Sequence, residues 1–246
     1  MIFVTGDTHG DFHRFSTKRF PQQKTMSHDD YVIICGDFGG VWNDSNEERH
    51  NLDWLSDKPF TTLWVDGNHE NYDLLNSFPV EQWHGGTVHR IRPNILHLMR
   101  GQVYDIDGLT FFTMGGASSH DIQDGILDPD DPFFESDYRT MLRKDKMFRI
   151  LRRSWWPEEL PSEEEYATAL ASLERVNWKV DYVISHCAPS GIVEQLGDWL
   201  QIDPLTEFFD EISKRLEFQC WIFGHYHENG LVGQNYALLY EQILAL

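Results

Sequence analysis

Positive charge is scarce in this chain. Of its 246 residues, 20 are Lys or Arg against 40 Asp or Glu, a formal net charge of −20. A nucleic-acid or anionic-membrane partner needs a basic face, so this balance argues against both. Cysteine is scarce too. Cys35, Cys187 and Cys220 are all there is, and each lies in or at the end of an apolar run. An odd, unpatterned trio of that kind predicts reduced thiols filling a core, in a reducing compartment, rather than disulfides or redox chemistry. Long apolar stretches are missing; none approaches the roughly 18 residues of a membrane-spanning helix. The first chemically suggestive string begins at Gly6, which leaves no space for a leader peptide ahead of it. The expectation is a cytoplasmic protein with no membrane partner. There is no internal repeat and no low-complexity tract, and nothing in the sequence selects an oligomeric state.

What the chain does have is five short apolar runs, each ending in metal-binding side chains. Ile2–Thr5 leads into Gly6-Asp7-Thr8-His9, Tyr31–Cys35 into Gly36-Asp37, and Leu63–Asp66 into Gly67-Asn68-His69-Glu70. Tyr182–Ser185 ends on His186, and Cys220–Phe223 leads into Gly224-His225-Tyr226-His227. Continuous apolar runs are how strands buried on both faces read, and open α/β sheets place ligands at the carboxyl ends of their strands. Carboxylate, imidazole and amide donors would then gather on one rim, in numbers sufficient for two divalent ions. Because they span positions 7 to 227, one catalytic domain takes in almost the whole chain, 1–246.

Helical segments are expected between the early runs: Asp11–Arg19, Ser45–Leu55 with Ser45 and Glu48 as a capping box, and Glu70–Ser77. From Thr87 to Met114 the pattern changes to short strands, with Asp107-Gly108 as a hairpin turn, predicting an antiparallel block. Residues 115–162 read as an inserted, lid-like segment. It opens on Gly115-Gly116-Ala117-Ser118-Ser119-His120-Asp121 and passes through an acidic stretch. It then holds Arg139, Arg143, Lys144, Lys146, Arg149, Arg152 and Arg153, seven of the twenty Lys and Arg, before Trp155-Trp156. Helices follow at about 161–175 and 204–216, then closing strands at 231–233 and 237–243.

Two ions roughly 3.5–4 Å apart activate a water and stabilise the oxygens of an in-line displacement. Phosphate ester hydrolysis is among the slowest uncatalysed reactions, so a site this rich in charge suits it. Asp37 stands alone at its strand end, which makes it the natural bridge between two ions, whereas Asp7 and His9 come as a pair.

The ordered set resembles the calcineurin-like metallophosphoesterase superfamily, whose pattern is GDxH, GDxx, GNHE or GNHD, an isolated His, and GHxH. The resemblance covers positions 6 to 227. It implies an α/β fold, a four-layer α/β/β/α sandwich of two mixed sheets. It implies that Asp7, His9 and His227 hold one metal, that Asn68, His186 and His225 hold the other, and that Asp37 bridges, with a hydroxide between the metals attacking phosphorus. The ions would be Mn, Fe or Zn. His69 would contact the phosphate, together with Asn68, and protonate the leaving oxygen, oriented by Asp66 or Glu70 unless those carboxylates only shape the turn. The substrate class is a small phosphomonoester or phosphodiester.

One departure matters. The protein Ser/Thr phosphatase branch reads GDxVDRG at the second motif, whereas this chain reads Gly36-Asp37-Phe38-Gly39-Gly40-Val41-Trp42 and lacks the phosphate-clamping Arg. Arg152 or Arg153, beside Trp155-Trp156, is a candidate replacement that would grip phosphate while a Trp stacks on a ring. The plainer alternative is an exterior helix with ordinary ion pairs and a Trp pair packed on the body. His120 is a further candidate for the site; His13, His28, His50, His84, His89 and His97 match no motif. The competing functions are a protein Ser/Thr phosphatase-like enzyme and a catalytically idle metal-containing binding module.

Overall fold

The structure is a computed structural model that describes residues 1–197 and 200–246. Its strands, in chain order, are β1 (Ile2–Thr5), β2 (Tyr31–Ile34), β3 (Thr61–Trp64), β4 (Val80–Trp83), β5 (Gly86–Arg92), β6 (Ile95–Leu98), β7 (Gln102–Ile106) and β8 (Leu109–Met114). They continue with β9 (Ile126–Leu127), β10 (Arg149–Ile150), β11 (Tyr182–Ser185), β12 (Cys220–Phe223), β13 (Gly230–Val232), β14 (Tyr236–Leu238) and β15 (Ile243–Ala245). The helices are α1 (Asn46–Ser56), α2 (Tyr72–Leu75), α3 (Phe134–Arg143), α4 (Glu163–Arg175), α5 (Ser190–Leu196) and α6 (Pro204–Ser213).

One sheet runs β15-β1-β2-β3-β6-β5-β4, the other β13-β14-β12-β11-β8-β7. β1, β2, β3 and β6 are mutually parallel, as are β8, β11, β12 and β14, with antiparallel strands at the edges. The sheets are therefore mixed, and their parallel centres carry the apolar runs.

Alternate residues of each run serve two cores. Ile2, Val4, Ile33 and Leu63 meet Phe111, Ile184 and Ile222 between the sheets. Phe3, Val32, Ile34 and Trp64 point outward onto Leu52 and Leu55 of α1. Phe112, Val183 and Trp221 pack outward onto Leu173 of α4 and Phe209 of α6. Burial on both faces is why these strands read as unbroken apolar runs. This is the α/β/β/α sandwich anticipated from the sequence. Truncating one such side chain, Ile33→Ala for example, costs about 2–5 kcal/mol.

Local signals held in part. Ser45 caps α1, its hydroxyl accepting from the Glu48 N–H at 3.2 Å, but the Glu48 carboxylate reaches past it to the N–H groups of Trp42 and Asn43, both at 2.9 Å. Ser162 and Glu165 form a complete capping box on α4. Asp107 and Gly108 both have positive φ and close a two-residue β7–β8 hairpin. The antiparallel block is split, however: β5 and β6 belong to the first sheet, β7 and β8 to the second. The expected last strand is likewise divided, β14 finishing one sheet and β15 the other. Asp11–Arg19 forms only a short 3-10 turn, because Asp11 accepts from the His13 N–H at 2.9 Å and ties the chain into a tight bend. Glu70–Ser77 shrinks to α2, which Asn71 caps. Cys35, Cys187 and Cys220 are free thiols, the first two buried. Among the described residues no helix is long and apolar enough to cross a membrane.

Candidate metal centre

The carboxyl ends of β1, β2, β3, β11 and β12 meet where the two sheets abut, and the backbone stitches the loops together. His225 N–H donates to the Asp7 carboxylate at 3.0 Å, His69 N–H to Asp37 at 2.8 Å, and Thr8 Oγ1 to the Phe38 carbonyl at 2.7 Å. Such approach needs glycine at two of the strand ends. A Cβ on Gly67 would collide with the Asp37 carboxylate, and one on Gly224 with that of Asp7. His9, Asp37, His225 and His227 sit in the left-handed backbone region, with φ of 47°, 45°, 69° and 53°. That region is uncommon outside glycine and costs roughly 1–2 kcal/mol per residue. Four such residues on one edge mark strain held where the side chains must point inward together.

Two subclusters result. In the first, Nε2 of His9 and Nε2 of His227 are 3.0 Å apart, and the Asp7 carboxylate lies 3.3 Å from His227 and 3.9 Å from His9. In the second, His186 Nδ1 lies 2.7 Å from the Cys35 carbonyl, which can only accept, so Nδ1 carries a proton. His186 Nε2 then faces Asn68 Oδ1 at 3.2 Å and Asp37 Oδ1 at 3.4 Å. The His225 ring stands 4.9 Å from that of His186, centroid to centroid. Asp37 also approaches His9 Nε2 at 3.8 Å, so it touches both subclusters.

The donor set fits a cation. A neutral His186 would aim a lone pair at two oxygen acceptors, an arrangement that only a proton or a metal ion resolves. Burial lowers the His186 pKa, yet Asp37 and Asp7 outweigh it and push the value up to about 10. Burial likewise opposes the charge on Asp37, and His186, His69 and His9 overcome it, holding that carboxyl well below the usual range. His225 is pushed the other way, first by burial and then by His186, and stays neutral as a ligand must. Asp7, His9 and His227 are close enough to share one ion, and Asp7, Asp37 and His186 another.

Around these donors lie residues whose contacts the sequence did not reveal, Ser119 of the Ser118–Asp121 turn among them. Asn68 Nδ2 donates to Ser119 Oγ at 3.3 Å, and Ser119 gives both its hydroxyl (2.6 Å) and its N–H (3.1 Å) to the buried Glu159 carboxylate. This chain fixes the Asn68 amide with its oxygen toward His186. Arg14 donates to the carbonyls of Gly6 and Asp7 and braces the first loop from behind.

The 115–162 segment does bring an arginine to the site, but it is Arg149. Its guanidinium lies 3.4 Å from His69 Nδ1 and is held by Asp121, its Nε donating at 2.8 Å. Arg152 is paired with Asp73 and Glu158 at the surface, and Arg153 stacks on Phe134. Neither of those two reaches the donors here, because each has a partner outside the pocket. Trp156 is buried against Trp42 and donates to Asp73 at 2.8 Å, so it packs on the body rather than over the donor cluster. Position within the basic run carried no signal that separated Arg149 from its neighbours.

Neither proposed orienter touches His69. Asp66 binds Arg100 at 2.7 Å, Tyr72 at 2.9 Å and His97 at 3.0 Å, all buried. Burial resists the charge on Asp66, and Arg100 and His97 hold its pKa well down. Glu70 accepts from the Phe38 N–H at 2.8 Å and shapes the Asp37 loop; burial, with Asp37 nearby, raises its pKa well above normal. His120 lies at the edge of the centre, its ring 6.0 Å from that of His225.

Two cavities open on this edge. One, of about 420 Å³, is walled by His9, His69, Trp42 and Arg149. The other, of about 320 Å³, is walled by His225, His227, His120 and Gln123.

Comparison with known proteins agrees with this layout. A family model described as calcineurin-like phosphoesterase matches residues 1–229. Curated relatives include lariat debranching enzymes from Drosophila pseudoobscura pseudoobscura, 22% identical, and Drosophila melanogaster, 23% identical. Each alignment takes in 92% of this chain but only 42% of the relative, so the chain spans less than half the length of these proteins.

Proposed function

We propose, for a chain that belongs to the calcineurin-like phosphoesterase family, that it hydrolyses a small phosphomonoester or phosphodiester at a two-ion centre. Membership makes it a metal-dependent phosphoesterase, which sets aside the idle binding module. The single observation that carries the two-ion reading is the pair of donor subclusters sharing Asp37, each with lone pairs facing one another and too few protons between them. Asp7, His9 and His227 would hold one ion and Asn68, His186 and His225 the other, with Asp37 placed within reach of both donor groups. When bound, Mn, Fe or Zn would supply an activated water and neutralise charge on the phosphoryl oxygens.

The protein's own groups do the rest. Arg149, presented by Asp121, provides the guanidinium that the second motif lacks, placed to hold a phosphoryl oxygen. Because Arg149 faces His69 Nδ1, neutral His69 keeps its proton on Nε2, from which it can donate a hydrogen bond to the departing oxygen. A lariat substrate would also be a phosphoester, but the charge disfavours a long polyanion. The net charge is −20, and in the basic run Arg139, Lys146, Arg149 and Arg152 are each paired with an acid.

The test is metal titration with an aryl phosphate assay. Two ions per chain should bind, and Asp37→Ala or His225→Ala should lower turnover by on the order of 10³-fold or more, since a bound ion is worth several kcal/mol of charge stabilisation. Near-normal turnover by metal-free protein would remove the reading.

A further inference from the structure

We infer that the substrate is a phosphodiester whose two organic arms occupy separate cavities on opposite sides of the metal edge. The inference rests on the hydrolase reading above and deepens it. The His69 cavity and the His120 cavity have no lining residue in common, yet each is walled by members of the same donor set, His9 in one and His225 and His227 in the other. They approach each other where His9 and His227 stand 3.0 Å apart. A phosphorus atom held at that edge therefore has room for a substituent on either side. A monoester has one arm and would leave one cavity unused.

The linings say what each arm is like. Among the described residues the His120 cavity offers no Lys or Arg; it presents the neutral polar side chains of Ser118, Gln123 and Gln201 with the aromatic Tyr226. It also includes the Asp203 carboxylate, which accepts from the Ser118 N–H at 3.2 Å and caps α6. Beyond the His225 and His227 wall, free phosphoryl oxygens would meet that carboxylate and no described Lys or Arg, so this space suits an uncharged organic arm. The other cavity combines Arg149 and His69 with the half-buried Trp42 and the carboxylates of Glu47 and Glu48. An aromatic wall beside acceptors suits a flat ring that carries hydrogen-bond donors, as in a nucleoside.

His69 and Arg149 line only the Trp42 side, which identifies the arm there as the leaving one. Hydrolysis breaks that arm's P–O bond, and the electron pair leaves with its oxygen, to which the His69 N–H donates a hydrogen bond. The oxygen of water forms the new bond to phosphorus, and the proton that the water releases ends on the departing oxygen through solvent. The products are an alcohol from the Trp42 cavity and a monoester whose arm remains beside His120.

The experiment compares kcat/KM of the Mn-loaded protein on bis(4-nitrophenyl) phosphate and on 4-nitrophenyl phosphate, which share a leaving group. The native protein should prefer the diester. Gln123→Trp and Gln201→Trp, both at exposed positions, fill the His120 cavity and should lower the diester-to-monoester ratio about tenfold, chiefly through KM. Asn51→Trp, in the Trp42 cavity, should lower both substrates together. A native preference for the monoester, or a ratio that neither tryptophan moves, overturns the two-arm assignment while leaving the hydrolase intact. Turnover of neither substrate overturns both.

Discussion

At the strand-end edge, Asp7, Asp37, Asn68 and His186 are buried, and three of them are tied by backbone partners from other strands. The 115–162 segment is built differently. Its helix α3 buries no residue, its strands β9 and β10 are two residues long, and ion pairs such as Arg152 with Asp73 fasten it to the body. Yet it contributes Arg149 and Ser119, which contact His69 and Asn68 of the third motif, and Glu159, which reaches Asn68 through Ser119. The edge fixes what chemistry is available, because its donors have nowhere else to go. The segment adjusts that chemistry, because its ends are anchored in the cores through Ala117 and Trp156 while its middle, around α3, is held by contacts that can change without unmaking a core.

The seam between the regions is the sharpest place to break them apart. Arg100 donates to Asp66 on the motif side and to the Glu158 carbonyl at 2.8 Å on the segment side. Asp66→Asn leaves this buried guanidinium without its buried counter-charge, with only the more exposed Glu165 at 3.4 Å remaining, and should cost about 3–5 kcal/mol in urea unfolding. The double variant Asp66→Asn with Arg100→Met should recover part of that loss, since the penalty comes from the stranded charge. A loss below about 1 kcal/mol would mean that the seam is held by packing instead.

His69 belongs to the edge by position and to the segment by its contact with Arg149. His69→Ala should keep its metal and lose about 10²-fold in rate on esters with poor leaving groups, with a smaller loss on good ones. Equal losses across leaving groups would show that His69 only positions phosphate.

The same contrast explains what could be read in advance. The apolar runs and their terminal donors were legible because burial on both sheet faces and the needs of a cation each restrict residue type severely. Gly67 and Gly224 were legible as turns but not as the hollows that admit Asp37 and Asp7. Where the block from Thr87 to Met114 changes sheets was not legible, since a strand's pattern does not say which sheet it joins. Arg149 could not be told from Arg152 or Arg153, because arginines on an exposed segment share one local pattern. Long-range partners such as Asp121 and Asp73 decide which of them reaches the site. Ser119 and Glu159 were hidden for the same reason: a serine and a glutamate 40 positions apart reveal nothing until the chain folds.

Ser119 and Glu159 then test how far the segment governs the edge. Removing a group that orients a metal ligand typically weakens metal binding by about 10–100-fold. Ser119→Ala, and Glu159→Gln more mildly, should do so for the ion proposed at Asn68 and His186, read by calorimetric Mn titration. The ion proposed at Asp7, His9 and His227 should bind as before. Equal weakening of both ions would point to a general loosening rather than to the Asn68 amide.

The smallest effect should come from Arg152→Ala. Its ion pairs with Asp73 and Glu158 are half-exposed and therefore well screened by water and salt. Turnover on aryl phosphates should stay within about twofold of native. Arg149→Ala should raise KM about tenfold, with Arg149→Lys recovering little because a point charge cannot replace a planar fork. If Arg152→Ala proved the more damaging of the two, the grip on phosphate would have to pass to Arg152 by a movement of the segment, and the edge alone would no longer set the chemistry.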